Sequence, residues 1–335
     1  MKKSDLQFDY PESLVAQFPV RPSRVMWVEN GEPTEISIQE LLQKIPAGDV
    51  LVLNDTKVLR RRVFVKHSNL DLEFLFLDRV ENNEWVVLFP AREFKIGTEF
   101  ILPNGAQITL IEKGLPQKVK VDRELLDSDF EQFGELPLPP YIQKARNERH
   151  NNSNDQSWYQ TAWAENPGSF AAPTASLHFS NDDIKLLEQR GVYVLYLTLH
   201  VGLGTFLPVK VDDLDHHQMH KEVYSVSKDV WDQVVQAKDS GSGVWALGTT
   251  TTRTLETIAR NGKLSGESDL LLQVGSEFKI VNRLLTNFHQ PESTLLALVS
   301  AFADLPTVKR CYNWAIAKKF RLFSYGDLSV WIKNE

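Results

Sequence analysis

Five short stretches carry side chains whose types and spacing could do chemistry. The first, P-G-S-F-A-A-P-T-A-S-L-H-F at 167–179, is too interrupted for a strand and too small for a core helix. Its small residues let backbone close against a neighbouring segment or a ligand, with His178 at the end. The second is His200 followed by Val-Gly-Leu-Gly-Thr-Phe. Gly202 and Gly204 could let backbone approach a nucleotide, although the third glycine of the dinucleotide fingerprint is missing. The third runs Gly248-Thr249-Thr250-Thr251-Thr252-Arg253. Threonines at a helix start cap free N–H groups, whereas a cation in the first turn opposes the helix dipole and favours an anionic partner, a carboxylate or a phosphate. The fourth, Thr286-Asn-Phe-His-Gln-Pro-Glu-Ser-Thr, reads as a helix start at Pro291 and Glu292, which leaves His289 unexplained. The fifth, Phe323-Ser-Tyr-Gly-Asp, is a polar aromatic turn holding Tyr325 and Asp327. His217, His220 and Glu222 form a thin ligand set, better explained by structure or substrate contact than by a metal.

The elements that must position these residues fall into two textures. Residues 38–45 read as a helix and 50–53 as a buried strand ending on Asn54-Asp55-Thr56. From Val63 to about Asp122, short alternating runs separated by turn signals predict a small antiparallel barrel or sandwich. From residue 181 onward helices and strands alternate: a helix over 181–190, strands over 192–199 and 244–247, and helices over 227–239 and 251–260. Two more helices are read near 292–303 and 306–319. The fold class is therefore α/β: a main domain at 1–61 and 150–335, discontinuous in sequence, with an antiparallel β-barrel inserted at 62–149. The reactive stretches then lie at strand ends, where open α/β sheets place their ligand crevice.

Composition agrees with a folded two-domain chain: 335 residues, 42% apolar and 24% charged, without an apolar run of membrane-spanning length. MKKSDLQFDYPESL lacks the apolar stretch of a secretion signal, and the single cysteine, Cys311, excludes an internal disulfide framework. A cytoplasmic location is expected. The net charge of −7 argues against a general coat of positive charge. Two basic runs without an acid nevertheless stand out, KVLRRRVFVK at 57–66 and VKRCYNWAIAKKFR at 308–321.

NDTKV (54–58), PLPPYI, the AAPTASLHF stretch, LTLHVGLGTF, HQMHKE, LGTTTTRTLE, LLTNFHQPEST and FRLFSYGD occur in one order along the whole chain. That order resembles the S-adenosylmethionine:tRNA ribosyltransferase-isomerase family of queuosine biosynthesis. The resemblance implies transfer of the ribosyl part of S-adenosylmethionine to 7-aminomethyl-7-deazaguanine at the tRNA wobble position. Isomerisation to an epoxycyclopentane and release of adenine and methionine complete the reaction. It implies S-adenosylmethionine as co-substrate, no other cofactor and no metal. The implied partners are the tRNAs for tyrosine, histidine, asparagine and aspartate, with a monomeric enzyme and no membrane.

The chemistry needs a general base for a hydrogen next to the sulfonium, and His178, His200, His289 and Glu292 are the candidates. Asp327 or a histidine would assist adenine's departure. Arg253 suits the methionine carboxylate or a tRNA phosphate. The resemblance carries substrate contacts onto Asn54, Thr56, Pro173 and Thr174, onto Gly202, Gly204 and Thr205, and onto Thr249, Thr250 and Tyr325. The basic runs supply a tRNA surface through Lys57, Arg60, Arg61, Arg62, Lys318, Lys319 and Arg321, brought to one rim. A methyltransferase would instead make S-adenosylhomocysteine, and a binder without catalysis would not need histidines in three motifs.

Overall fold

The computed structural model describes residues 1–202, 204 and 209–333. Its elements divide between two compact units. The first comprises Met1–Val58, Pro139–Glu148 and Ser157–Glu335; the second comprises Leu59–Leu138 and Arg149–Gln156. Residues 139–148, expected within the insertion, thus pack with the main unit. Tyr141 of this segment bonds the Ser324 hydroxyl and lies edge-on to Phe323 at 5.2 Å.

The main unit is built on strands Arg24–Glu29 (β1), Glu32–Ser37 (β2), Val50–Asn54 (β3) and Thr56–Val58 (β4). The second unit contributes Arg62–His67 (β5), Leu70–Arg79 (β6), Glu84–Leu88 (β7), Glu99–Ile101 (β8), Gln107–Glu112 (β9) and Gln117–Val121 (β10). The main unit resumes with Asn166–Ser169 (β11), Tyr193–Leu199 (β12), Glu222–Ser225 (β13), Val244–Leu247 (β14), Ser265–Ser268 (β15), Arg283–Asn287 (β16) and Leu328–Ile332 (β17).

Nine strands form one mixed sheet in the order β15-β13-β12-β3-β14-β16-β17-β1-β2, with β12, β3, β14 and β16 parallel. Alternation along the central strands decides the layers. Val50, Val52, Val244 and Ala246 enter one core while Leu51, Leu53, Trp245 and Leu247 enter the other. Both faces must therefore be covered by helices. Ile38–Lys44 (α1) and Asn181–Gln189 (α5) cover one face; Lys228–Asp239 (α6), Thr249–Asn261 (α7), Thr294–Ala303 (α8) and Leu305–Ala317 (α9) cover the other. Ser37 and Ser180 open α1 and α5 with capping boxes closed by Glu40 and Asp183. Asp127–Phe133 (α2), Pro140–Arg146 (α3) and Asp155–Trp158 (α4) complete the helices.

In the second unit six antiparallel strands run β5-β6-β7-β10-β9-β8, and the end strands β5 and β8 lie in contact, so the sheet curls into a nearly closed barrel. Its core is aromatic: Phe74 stacks on Phe89 at 4.2 Å and meets Phe100 edge-on at 5.3 Å. Among the described residues no helix is long and apolar enough to cross a membrane.

Two local expectations change. Asn166–Ser169, part of a stretch that reads as too interrupted for a strand, pairs in parallel with Thr56–Val58 because the Asp55 carbonyl receives both the Glu165 and Asn166 N–H groups. Helix α8 begins after Ser293, whose hydroxyl accepts the Leu296 N–H, and not at Pro291. Glu292 sits at φ +57°, outside the helical region.

Candidate active site

The sheet register gathers the reactive stretches at one end. Leu197 pairs with Asn54, Val52 with Ala246, and Ala246 with Leu284, so β12, β3, β14 and β16 finish together at His200, Asn54, Gly248 and Asn287. Strand β17 runs antiparallel to β16, with Leu328 opposite Asn287, and β1 sets Val25 against Leu328. Asp327 and Ser23 therefore arrive at the same end. This is the carboxyl edge where open α/β sheets bind ligands.

Around Asn287 lies a closed polar knot. His178 ends a 3₁₀ turn at Thr174–His178, and both its ring nitrogens are engaged: Nδ1 lies 2.7 Å from Ser23 Oγ and Nε2 lies 3.0 Å from Asn287 Nδ2. The Asn287 amide is itself fixed. Its Oδ1 accepts from Thr174 Oγ1 at 2.9 Å and its Nδ2 also donates to the Phe323 carbonyl at 3.2 Å. An amide N–H aimed at Nε2 requires a neutral imidazole carrying its proton on Nδ1. Burial, reinforced by Arg321 and Arg21, pulls the His178 pKa down to about 3. His289 is also buried; its Nε2 lies 2.8 Å from Thr286 Oγ1, its backbone N–H donates to Tyr312 at 3.0 Å, and burial pulls it to about 3.

His200 differs. It is half-buried, its Nδ1 lies 2.8 Å from Thr56 Oγ1, and Nε2 has no protein partner among the described residues. Burial lowers its pKa while Asp55 pulls the other way. Gly168 packs against the ring, since a Cβ there would come 2.7 Å from Cε1 and Nδ1.

Between the two histidine sites α7 begins. Gly248, at φ +96°, precedes Thr249 without a side-chain cap. The expected threonine capping is absent for Thr251 and Thr252, whose hydroxyls bond back to the Leu247 and Gly248 carbonyls at 2.9 and 3.0 Å. Thr249 is buried, and Thr250 Oγ1 accepts from Asn54 Nδ2 at 3.4 Å. The first-turn N–H groups of α7 thus point at the sheet edge without side-chain caps.

Other expected residues take structural partners. Arg253 is buried against Glu222, whose second oxygen accepts the Gly202 N–H at 3.1 Å, so its charge is already answered. Burial lowers the Arg253 pKa to about 10. Asp327 is fully buried; its Oδ1 meets Arg321 Nη2 at 2.8 Å and its Oδ2 accepts the Arg321 N–H at 2.8 Å, so both carboxylate oxygens are engaged. Glu292 is half-buried beside Lys3 at 3.9 Å and joins neither histidine cluster. Tyr325 is buried edge-on to Tyr159 at 6.0 Å, Pro173 is buried in the turn before Thr174, and Gly204 faces His220. Thr205 lies outside the described residues. No group of three His, Cys, Asp or Glu side chains among the described residues could hold a metal ion.

The arginine run is also spoken for. Arg62 is 1% exposed and grips Glu73 at 2.8 and 3.0 Å, with Glu135 at 3.6 Å. Arg61 pairs with Asp127 and lies over Trp85 and Phe130, and Arg60 donates to the Gly134 carbonyl at 2.8 Å. Arg61 and Arg62 are thus buried in the barrel with partners of their own, while Arg60 stays partly exposed. Arg321 is committed to Asp327, whereas Lys57, Lys318 and Lys319 are exposed.

Sequence reasoning missed Ser23, Asp55, Gly168 and Asn287 as site residues. Gly168 and Asn287 stand inside the quoted motifs, but the bond from Ser23 to His178 spans 155 positions and leaves no local signal.

A helix-covered α/β sheet whose polar motifs gather at its carboxyl edge, with a small antiparallel barrel inserted in the chain, defines the class. A profile of the family described as queuosine biosynthesis protein matches residues 3–331, and the chain belongs to that family. It is similar to the S-adenosylmethionine:tRNA ribosyltransferase-isomerase of Thermoanaerobacter sp. (strain X514), with 40% identity over 343 residues covering 98% of both chains. The enzyme of the same name from Sulfurihydrogenibium sp. (strain YO3AOP1) is 38% identical over 336 residues, again covering 98% of both. A crystal structure of S-adenosylmethionine tRNA ribosyltransferase from Thermotoga maritima is 29% identical, with a TM-score of 0.55, covering 98% of this chain and 99% of that one.

Proposed function

We propose that the chain is a ribosyltransferase-isomerase. It moves the ribosyl part of S-adenosylmethionine onto 7-aminomethyl-7-deazaguanine at the tRNA wobble position, giving epoxyqueuosine and releasing adenine and methionine. Family membership over nearly the whole chain supports the reaction. The observation that carries the assignment of roles is the Nε2 of His200, at the carboxyl edge of the sheet and without a partner among the described residues.

His200 is the general base. Burial keeps its imidazole neutral near pH 7, one nitrogen is anchored, and the other has a lone pair for the hydrogen next to the sulfonium. His178 could take a proton only by displacing Asn287, and the burial of His289 opposes its charged form. The start of α7, with Thr249 and Thr250, holds the methionine carboxylate. Arg253 acts through Glu222, keeping the segment after His200 in place. Lys57, Lys318 and Lys319 contact tRNA phosphates. The enzyme works as a cytoplasmic monomer on the tRNAs for tyrosine, histidine, asparagine and aspartate, and needs no cofactor beyond S-adenosylmethionine.

The test is chromatography of the small products made from S-adenosylmethionine and tRNA carrying the deazaguanine base. Adenine and methionine in equal amounts are expected, and His200→Asn lowers turnover by ~10²–10⁴ with an unchanged melt. S-adenosylhomocysteine as the product would refute the reaction; full turnover in His200→Asn would refute the base.

A further inference from the structure

We infer that Thr56 is a positioning residue, whose hydroxyl holds the His200 imidazole with its proton on Nδ1 and so leaves the lone pair on Nε2. The inference rests on the reading that His200 is the base. Thr56 is fully buried, so a substrate cannot touch it, and its place in the Asn-Asp-Thr motif needs another explanation. Its Oγ1 lies 2.8 Å from His200 Nδ1 and 3.5 Å from the Asn166 carbonyl oxygen. A carbonyl can only accept. A base that works through Nε2 carries its proton on Nδ1, so the Thr56 oxygen accepts there and the hydroxyl proton is left the Asn166 carbonyl, at the outer limit of a hydrogen bond.

The rest of the motif holds that geometry. Asn54 Oδ1 accepts the N–H groups of Thr56 and Leu199, both at 3.1 Å, and Asn54 Nδ2 donates to the Leu199 carbonyl at 3.0 Å. Asp55 donates its N–H to the Leu197 carbonyl at 3.0 Å, and its Oδ1 accepts from Thr198 Oγ1 at 2.6 Å. Asn54 and Asp55 thus tie the end of β3 to the three residues before His200, while Gly168 closes the ring face. Asn54 and Thr56 act on the histidine and not on the substrate. A reacting histidine whose other nitrogen is fixed has one tautomer and one orientation, which is what an orienting partner contributes.

The test uses protein labelled with ¹⁵N in its histidines, with the His200 signals assigned by their loss in His200→Asn. Long-range ¹H–¹⁵N spectra near pH 8 should show Nδ1 protonated and Nε2 bare. Thr56→Val removes the hydroxyl at constant shape. It should move His200 toward a tautomer mixture and lower kcat by roughly ten- to a hundredfold, the scale of losing an outer partner that fixes a histidine. KM for S-adenosylmethionine should stay within about twofold, and Thr56→Ser should recover both tautomer and turnover. A parent protein with the proton on Nε2 overturns the inference, as does Thr56→Val with unchanged tautomer and kcat. Should Thr56→Val fail to fold, Thr56→Ala and the parent spectrum decide the same question. Full turnover in His200→Asn would sink the base reading alone, because the tautomer of the unliganded protein still reports on Thr56.

Discussion

His178 and His289 should make the main unit acid-labile well above the range where carboxylates titrate. Both are buried and both are pulled from 6.5 to about 3 by that burial. In the unfolded chain each takes up a proton as pH falls through about 6.5, whereas the folded chain refuses it until about pH 3. The unfolded state thus binds more protons between these limits, and stability must fall as pH falls. The stabilisation is complete above the unfolded value and is progressively lost below it. Integrating one proton from about pH 7 to about pH 5 gives roughly 2 kcal/mol per histidine, so about 4 kcal/mol for the pair. That is a large share of the ~5–15 kcal/mol that holds an ordinary domain together.

The assay is urea unfolding followed by the helical far-UV signal, which arises mostly from α5–α9 of the main unit. Stability against pH between 5 and 6 should slope by about two protons or slightly more, because His200 and His217 are also shifted downward. His178→Gln and His289→Gln, measured singly, should each remove about one proton from that slope even where they lower stability overall. A flat parent profile over this range, or single variants with the parent's slope, would refute the argument that burial holds these imidazoles neutral.

Two further outcomes follow from the partners of buried charges. Glu256 is fully buried and accepts the N–H groups of Lys279, Ile280 and Val281 at 2.9, 2.9 and 3.0 Å, besides Arg260. Glu256→Ala strands the three N–H groups and should cost about 3–5 kcal/mol of stability in urea unfolding, with Glu256→Gln recovering part. Arg62→Met should destabilise the barrel yet leave the dependence of tRNA affinity on salt unchanged. Lys318→Ala with Lys319→Ala should lower the log–log salt slope by ~0.7–0.9 per lost phosphate contact, and the reverse pattern in a filter-binding titration would return the arginines to the interface.

The elements were legible because their patterns are local. The run Val-Leu-Val-Leu at 50–53 has no polar face, which only a strand covered on both sides tolerates, and the serines at 37, 180 and 227 announce helices with their own hydroxyls. The start read at Pro291 and Glu292 falls instead after Ser293, which supplies the hydroxyl that the first turn needs. The partners were not legible, because they come from elsewhere in the chain. Three consecutive arginines read as a tRNA surface, and the partners of Arg61 and Arg62, Glu73, Asp127 and Glu135, come from other elements of the barrel. Arg253 looked like an anion site for the same reason; Glu222 lies 31 positions away.

The three histidines of the motifs show why residue type and position at a strand end do not assign a role. All three are neutral imidazoles held by a hydroxyl, so shifted pKa values alone do not separate them. What separates them is the second ring nitrogen and the depth of burial. At His178 it is claimed by an amide that is itself fixed by Thr174 and the Phe323 carbonyl, so proton uptake would break a chain of bonds across three segments. At His289 full desolvation opposes the charged form that any base must pass through. Of the three, only His200 combines an anchored nitrogen, one without a partner among the described residues, and partial exposure, with Asp55 near enough to favour the protonated ring once a proton is taken. A base must become charged during turnover, so the histidine least penalised for charge is the one that can cycle.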